Sequence, residues 1–161
     1  MSSLKNIQSL FIAIMAFLLI AGCKEDEDYQ PIPDIVYVTS TAVTGTGTAA
    51  ATTLPSSVSG KVSVSPATAR VYVNTLKDND VTVTYTLAGT AVAGTNYTRP
   101  SPLSVVIPAG KWYADIQIPV INAPLTGNKT IVIALVTASN DTQIGLGTDR
   151  NYKIFTYTLT N

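Results

Sequence analysis

Apolar and polar residues alternate along several short segments of this chain. In residues 81–87 three threonines separate four larger residues, which are Val81, Val83, Tyr85 and Leu87. A period of two places such a set on one face of a β-strand and leaves the other face to water. The alternation recurs in residues 61–64, 70–74, 105–107, 112–120 and 151–159. In residues 112–120 it predicts Trp112 on the apolar face and Tyr113 on the polar face, beside Asp115.

Two further segments are apolar without a long alternation. Residues 131–136 are continuously apolar, which predicts a strand that is buried on both faces. Residues 35–38 are β-prone, and we interpret them as a short edge strand. Glycine, proline and asparagine turns separate the segments, and no helical period of useful length follows the amino terminus. The pattern therefore predicts an all-β, antiparallel β-sandwich over residues 61–161.

The amino terminus, residues 1–22, has the pattern of an export signal. Lys5 precedes an uncharged apolar run over residues 10–21. This run is too short for a spanning helix, which needs about 20 residues. It leads into Ala21, Gly22 and Cys23, which resembles the lipobox of bacterial lipoproteins.

Cys23 is the predicted site of lipidation, because its thiol is the nucleophile that takes a diacylglyceryl group. Two or more acyl chains, palmitate among them, anchor a protein firmly where one chain binds only marginally. The alternative is an ordinary cleaved signal followed by an incidental cysteine. Because Cys23 is the only cysteine of the chain, an intrachain disulfide is excluded.

Lys24 and the acidic run 25–28 follow the cysteine directly. The run resembles the surface-export signal of Bacteroidetes lipoproteins, and the alternative is a solvated spacer. The residue directly after the cysteine is Lys24. An aspartate at this position would resemble an inner-membrane retention signal. We therefore expect an outer-membrane lipoprotein whose domain faces the cell surface.

A spacer and linker over residues 23–60 are predicted to join the anchor to the folded domain. Pro31 and Pro33 favour an extended tether. Residues 41–60 are rich in threonine, alanine, glycine and serine, which is typical of a flexible linker or a long surface loop.

Five segments of the chain resemble, in order, the motifs of Calx-β domains. They are residues 89–91, 94–98, 107–111, 116–121 and 126–131. The resemblance covers roughly residues 61–161, and it implies an immunoglobulin-like sandwich of about seven strands.

The positions that match the acidic calcium ligands of that family carry other residues here. They are Asn96, Asn122, Ala123, Thr126, Asn128 and Lys129. Calcium needs six to eight oxygen ligands and gains affinity from carboxylate charge, whereas Lys129 repels a cation. We therefore expect neither a calcium site nor any other cofactor.

Composition excludes several kinds of chemistry. The chain has no histidine, and its ten basic and ten acidic residues balance, so it lacks the basic surface that nucleic-acid binding requires. Without histidine a catalytic triad of the serine-protease type is impossible. The six acidic residues beyond residue 28 show no catalytic arrangement, and we expect that the protein is not an enzyme.

Tyrosines and loop residues are the remaining candidates for recognition. Tyrosine offers an aromatic face and a hydroxyl, which suit sugars and protein partners, although cross-strand packing uses the same properties. The candidate contact residues are Asn96, Tyr97, Tyr113, Asn128 and Lys129. The main hypothesis is a lipid-anchored surface module for binding or structural, adhesive contacts. The alternatives are an accessory lipoprotein that captures glycans at the outer membrane and a structural lipoprotein of the envelope that faces the periplasm.

Overall fold

A computed structural model describes residues 33–41, 55–145 and 152–161 of the chain. The predicted signal, Cys23 and the acidic run 25–28 lie outside these residues, as does most of the predicted linker. The described residues form nine β-strands and no helix, so none of their segments could cross a membrane as an apolar helix. The strands are β1 (Ile35–Thr39), β2 (Ser57–Lys61), β3 (Ala67–Val73), β4 (Val81–Ala88), β5 (Ser104–Ile107), β6 (Tyr113–Ile118), β7 (Lys129–Ala138), β8 (Gln143–Ile144) and β9 (Ile154–Thr160).

The strands form two sheets with one apolar core between them. The four-stranded sheet has the order β6-β3-β1-β8, and the five-stranded sheet has the order β2-β9-β7-β4-β5. Most neighbours are antiparallel, while β1 pairs with β8 and β2 pairs with β9 in parallel. The prediction of an all-β sandwich is confirmed.

Alternation explains how the core is built. In β4 the side chains of Val81, Val83 and Tyr85 are buried, while Thr82 and Thr86 are exposed, as the period of two predicts. Strand β9 buries Phe155, Tyr157 and Leu159 in the same way. Each strand thus contributes one apolar face, and the two faces meet in the core.

Strand β7 differs from the expectation that both of its faces are buried. Ile131, Ile133 and Leu135 point into the core, but Val136 is 53% exposed on the opposite face. No layer of the described residues covers the outer face of the five-stranded sheet at that position. The apolar side chain of Val136 therefore lies on a solvated face, and the prediction that both faces of β7 are buried was wrong.

Strand β1 is an interior strand, because it lies between β3 and β8. Its pairing partners include Val73 for Val36 and Val71 for Val38, and both β1 valines are fully buried. The expectation of an edge strand was therefore wrong, and the sandwich includes residues N-terminal to Lys61, where we expected it to begin.

Strand β2 also precedes the expected boundary. It contains two serines and Gly60, so it carries no apolar alternation, and it pairs with β9 in parallel. Gly60 is required there, because a Cβ at this position would lie 1.9 Å from the hydroxyl oxygen of Tyr157. Residues 62–64, which we expected to extend a strand, form a turn instead.

The sandwich has two ends, which we call proximal and distal. The proximal end is where β1 begins and where the turns 74–80, 108–112 and 139–142 lie. The distal end holds the loops 89–98 and 119–128, which are joined by a hydrogen bond from the amide of Thr98 to the carbonyl of Pro119 (2.8 Å). The candidate contact residues can be located against these two ends.

Candidate functional site

Asn96 and Tyr97 are part of the folded core of the distal end. Their exposed fractions are 7% and 4%. The side-chain oxygen of Asn96 accepts a hydrogen bond from the amide of Val92 (2.8 Å), and its carbonyl accepts one from the amide of Ile121 (2.9 Å). These two residues hold the distal loops together and are not available on the surface, contrary to our expectation.

Asn128 and Lys129 also lie at the distal end, where β7 begins. Asn128 is exposed and Lys129 is half-buried. The adjacent Thr130 ties this turn to the preceding loop, since its amide donates to the Thr90 hydroxyl (2.9 Å) and its carbonyl accepts from the amide of Ala91 (2.9 Å). Asn128 and Lys129 thus lie at the same end as Asn96 and Tyr97, but they are accessible to solvent whereas Asn96 and Tyr97 are buried.

Tyr113 lies at the proximal end, because it begins β6 beside the turn 108–112. The five candidate residues therefore do not form one surface. Tyr113 is 44% exposed. It belongs to a different group of side chains, which was not predicted from the sequence.

Four tyrosines form a row across the outer face of the four-stranded sheet, which we call the tyrosine row. Tyr37, Tyr72 and Tyr113 are direct cross-strand neighbours on β1, β3 and β6. The ring centroids of Tyr37 and Tyr72 are 5.4 Å apart, as are those of Tyr72 and Tyr113. Tyr152 closes the row, with its ring inclined by 77° to that of Tyr37 and the two centroids 5.9 Å apart. Such aromatic pairs stabilise a sheet.

The rings at the middle of the row have little free face. The rings of Tyr37 and Tyr72 are inclined by only 11°, so each covers a face of the other. Burial, and then the neighbouring Tyr72 and Tyr152, raise the pKa of the Tyr37 hydroxyl above its ordinary value. The rings in the middle of the row therefore serve packing, whereas Tyr113 at its β6 end is 44% exposed.

Tyr152 is held in an uncommon backbone conformation at the other end of the row. Its φ is 70°, in the left-handed region that non-glycine residues rarely adopt. Its carbonyl accepts a hydrogen bond from the amide of Val38 (2.9 Å), and its ring contacts Tyr37. Contacts with β1 thus compensate the backbone strain.

An ion pair lies beside the Tyr113 end of the row. Arg70 on β3 and Asp115 on β6 are direct cross-strand neighbours. The Arg70 Nε donates to Asp115 Oδ1 (2.7 Å), and Nη2 donates to Oδ2 (2.9 Å). The hydrogen bonds that Arg70 donates to Asp115 raise the pKa of Arg70, so the guanidinium stays charged. This two-point geometry fixes the planes of both groups.

Arg70 also covers one face of Tyr113, because its guanidinium carbon lies 3.9 Å from the ring centroid. Tyr113 lies on an edge strand, since β6 pairs with β3 alone among the described strands. Trp112 precedes Tyr113 and is 50% exposed. We call Arg70, Trp112, Tyr113 and Asp115 the edge site.

The exposure of Trp112 contradicts the expectation that it belongs to the apolar face of its strand. Alternation begins at Tyr113, where β6 begins, and Trp112 lies in the preceding bend. Its carbonyl accepts a hydrogen bond from the amide of Val73 (3.0 Å), while its indole remains half in solvent. The prediction was wrong because it extended the alternation to Trp112, one residue before β6 begins.

One sequence signal could have located the edge site. Arg70 and Tyr72 are two residues apart, as are Tyr113 and Asp115, so each strand carries an aromatic and a charge on one face. Antiparallel pairing of the two segments brings opposite charges together and the tyrosines together. That signal requires knowing that β3 and β6 are neighbours.

The remaining acidic residues of the described chain form no comparable arrangement. Asp34 pairs with Lys77, and Asp80 accepts a hydrogen bond from the amide of Ala109 (2.9 Å), both at the proximal end. Within residues 33–41, 55–145 and 152–161, no three acidic, histidine or cysteine side chains are grouped to hold a metal ion. The edge site can stack a ring and exchange hydrogen bonds, which is binding chemistry.

Two packed sheets around one core define the class of immunoglobulin-like β-sandwiches. Within this class the chain has a Calx-β-like fold. It superposes on the apo-form Calx CBD1 domain with a TM-score of 0.57 at 18% identity, covering 80% of this chain and 96% of that one. It also matches the CBD12 structure from CALX1.2 with a TM-score of 0.53 at 20% identity, over 65% of this chain.

A two-domain protein of unknown function from Bacteroides fragilis has the same fold, with a TM-score of 0.51 and 14% identity over 81% of this chain. The chain spans 41% of the CBD12 structure and 46% of the Bacteroides protein. No protein-family model and no curated protein matches the sequence. At these identities the likeness concerns the fold.

Proposed function

We propose that this chain is a non-enzymatic binding module, which acyl chains on Cys23 anchor to the outer membrane so that its β-sandwich faces the cell surface. The observation that carries the proposal is the edge site. Trp112 and Tyr113 are about half exposed at the edge of the four-stranded sheet, and exposed tryptophan and tyrosine are enriched at binding surfaces. Structural or adhesive contacts with a partner use the same surface.

The chemistry of the site favours binding over catalysis. The Asp115 carboxylate is paired with Arg70 through both oxygens, an arrangement that holds the two groups together and does not present a general acid or base to a substrate. The distal end likewise supports a module without calcium, because the side-chain oxygen of Asn96 already accepts a backbone hydrogen bond. The fold stands on its core and turns.

Membrane fractionation tests the anchor. The wild-type chain should sediment with outer membranes, and Cys23→Ser should release it to the soluble fraction, because a single apolar run of residues 10–21 does not span. Ser9→Ala, outside the lipobox, is the control and should remain bound. Membrane retention of Cys23→Ser would remove the lipid anchor from the proposal.

Protease accessibility on intact cells tests the orientation. Digestion of the sandwich while a known periplasmic protein stays intact is the expected result. Protection would place the domain in the periplasm and favour the structural envelope lipoprotein.

A second function, glycan capture at the outer membrane, is favoured by one observation. The edge site combines an exposed indole and phenol with a fixed arginine–carboxylate pair, and this combination suits a ring with many hydroxyls.

A further inference from the structure

We infer that the edge site binds a pyranose ring of a neutral glycan. The sugar ring stacks on the exposed parts of Tyr113 and Trp112, and Arg70 and Asp115 form hydrogen bonds with its hydroxyls. This inference deepens the proposed binding function, because it names the site and the chemical class of the ligand.

Part of the Tyr113 ring is available for stacking. One face of Tyr113 is covered by the Arg70 guanidinium at 3.9 Å, and Tyr72 is tilted against it at 52° from the side of β3. Tyr113 lies on the edge strand β6 and is 44% exposed. The face of a pyranose carries C–H groups with positive partial charge, and the face of an aromatic ring is negative, so the two attract each other.

Arg70 and Asp115 keep hydrogen-bonding capacity for a ligand. Arg70 has five N–H donors, of which two bond to Asp115, and its guanidinium also hydrogen-bonds to the Tyr72 side chain. Each carboxylate oxygen of Asp115 has two lone pairs and accepts one hydrogen bond from Arg70. A sugar hydroxyl can accept from a remaining N–H and donate to a remaining lone pair.

The charge of the site favours a neutral ligand. The Arg70–Asp115 pair is internally neutral, and its side chains are only 22% and 25% exposed, so it presents donors and acceptors with little net field. A strongly acidic glycan would compete with Asp115 for the guanidinium, and a cationic ligand would compete with Arg70 for the carboxylate. A neutral polyol needs neither charge to be uncovered.

Ring contacts along the tyrosine row support Tyr113. Tyr72 contacts Tyr113, Tyr37 contacts Tyr72, and Tyr152 contacts Tyr37. A ring that its neighbours position before a ligand arrives loses less entropy on binding.

Tryptophan fluorescence offers a direct test, because Trp112 is the only tryptophan of the chain. The full chain in detergent is titrated with maltoheptaose, cellohexaose and mannohexaose, and with an oligogalacturonate as the acidic comparator. We expect at least one neutral oligosaccharide to shift the Trp112 emission saturably. Its affinity should change by less than about twofold between low and high salt, because no charge is neutralised on binding.

Variants then locate the ligand. Trp112→Ala and Tyr113→Ser, followed by calorimetry with the same oligosaccharide, should each weaken binding at least about fivefold. Val136→Ala is the matched control, since Val136 is 53% exposed on the outer face of the other sheet, and its affinity should equal that of the wild type. Thermal unfolding of every variant verifies the fold.

Three results would overturn the inference. The first is the absence of a saturable response to all three neutral oligosaccharides. The second is salt-dependent binding of the oligogalacturonate alone. The third is binding that Trp112→Ala and Tyr113→Ser leave unchanged. The anchor and the orientation of the domain are judged by fractionation and protease accessibility, so a failure here leaves those results standing.

Discussion

Arg70 and Asp115 face each other across β3 and β6, and two hydrogen bonds of 2.7 and 2.9 Å join the guanidinium to the carboxylate. The pair joins an interior strand to an edge strand. It therefore stabilises the strand that carries Tyr113, besides contributing to the edge site.

Asp115→Asn should lower the free energy of unfolding by about 1 kcal/mol, because a partly buried two-point ion pair is lost while the neighbouring packing remains. Urea unfolding of the single variants, of Arg70→Gln and of the double variant forms a double-mutant cycle. A coupling energy near zero would show that the two groups act independently.

Trp112→Ala should change the free energy of unfolding by less than about 1 kcal/mol, because the indole is half exposed. Phe155→Ala is the comparison, since Phe155 is fully buried, and it should cost about 3–5 kcal/mol. Equal losses for the two variants in urea unfolding would move Trp112 into the core and leave the edge site without its indole.

Gly89→Ala should destabilise the sandwich by more than about 3 kcal/mol. The φ of Gly89 is 112°, and a Cβ there would lie 2.2 Å from the carbonyl oxygen of Thr130, so strain and a backbone clash combine. Gly94→Ala is the control, because its φ is 82° but nothing lies within 4 Å of the new Cβ. It should cost only about 1 kcal/mol in the same thermal or urea unfolding experiment.

Asp34 makes stability depend on pH in the acid range. The hydrogen bond from Lys77, and then that from Thr75, lower the pKa of Asp34 below its ordinary value. A lowered pKa stabilises the fold above the unfolded-state pKa, about 3.9, and this stabilisation is lost as the pH falls through the folded-state pKa.

Asp34→Asn should therefore melt below the wild type at pH 7, and the two melting temperatures should converge near pH 2. Asp78→Asn is the control in the same turn region, because Asp78 is exposed and belongs to neither ion pair of the described residues. A constant difference between wild type and Asp34→Asn at both pH values would contradict the linkage.

Calcium should leave the melting temperature of the chain unchanged. The distal end offers Asn96, whose side-chain oxygen is occupied, and Lys129, whose charge repels a cation. Differential scanning calorimetry with excess calcium and then with a chelator measures this directly. An increase of several degrees with calcium, reversed by the chelator, would show that the loops hold the ion after all.

The strands that alternate strongly could be predicted from the sequence, and those that do not could not. The threonines and apolar residues of β4 form a period that local sterics and solvation alone explain. Strand β2 has two serines and a glycine, and β8 has two residues, so only their pairing with β9 and β1 makes them strands. Pairing is a tertiary property, and a local pattern does not contain it.

The candidate site was predicted less well, for the same reason. Tyr113 was placed correctly on the outer face with Asp115, because both lie inside a strand. Asn96 and Tyr97 were expected on the surface. Both are buried instead, because the side-chain oxygen of Asn96 accepts a hydrogen bond from the amide of Val92 and the Tyr97 ring packs in the core. The tyrosine row depends on the register of three strands that are distant in sequence.

The position of β1 also determines how the domain carries mechanical load. A tether that pulls at Pro33 draws β1 along its own length, between β3 and β8, so that its ladder hydrogen bonds resist together in shear. The first bonds to meet the force are those of Asn74, from the Ile35 amide to its side-chain oxygen (2.7 Å) and from its side-chain amide to the Pro33 carbonyl (2.9 Å). Forced unfolding is governed by the rate of crossing such a barrier, and not by equilibrium stability. In the proposed anchored module, the rate at which these bonds break, and not the equilibrium stability, would set the resistance to drag on a bound ligand.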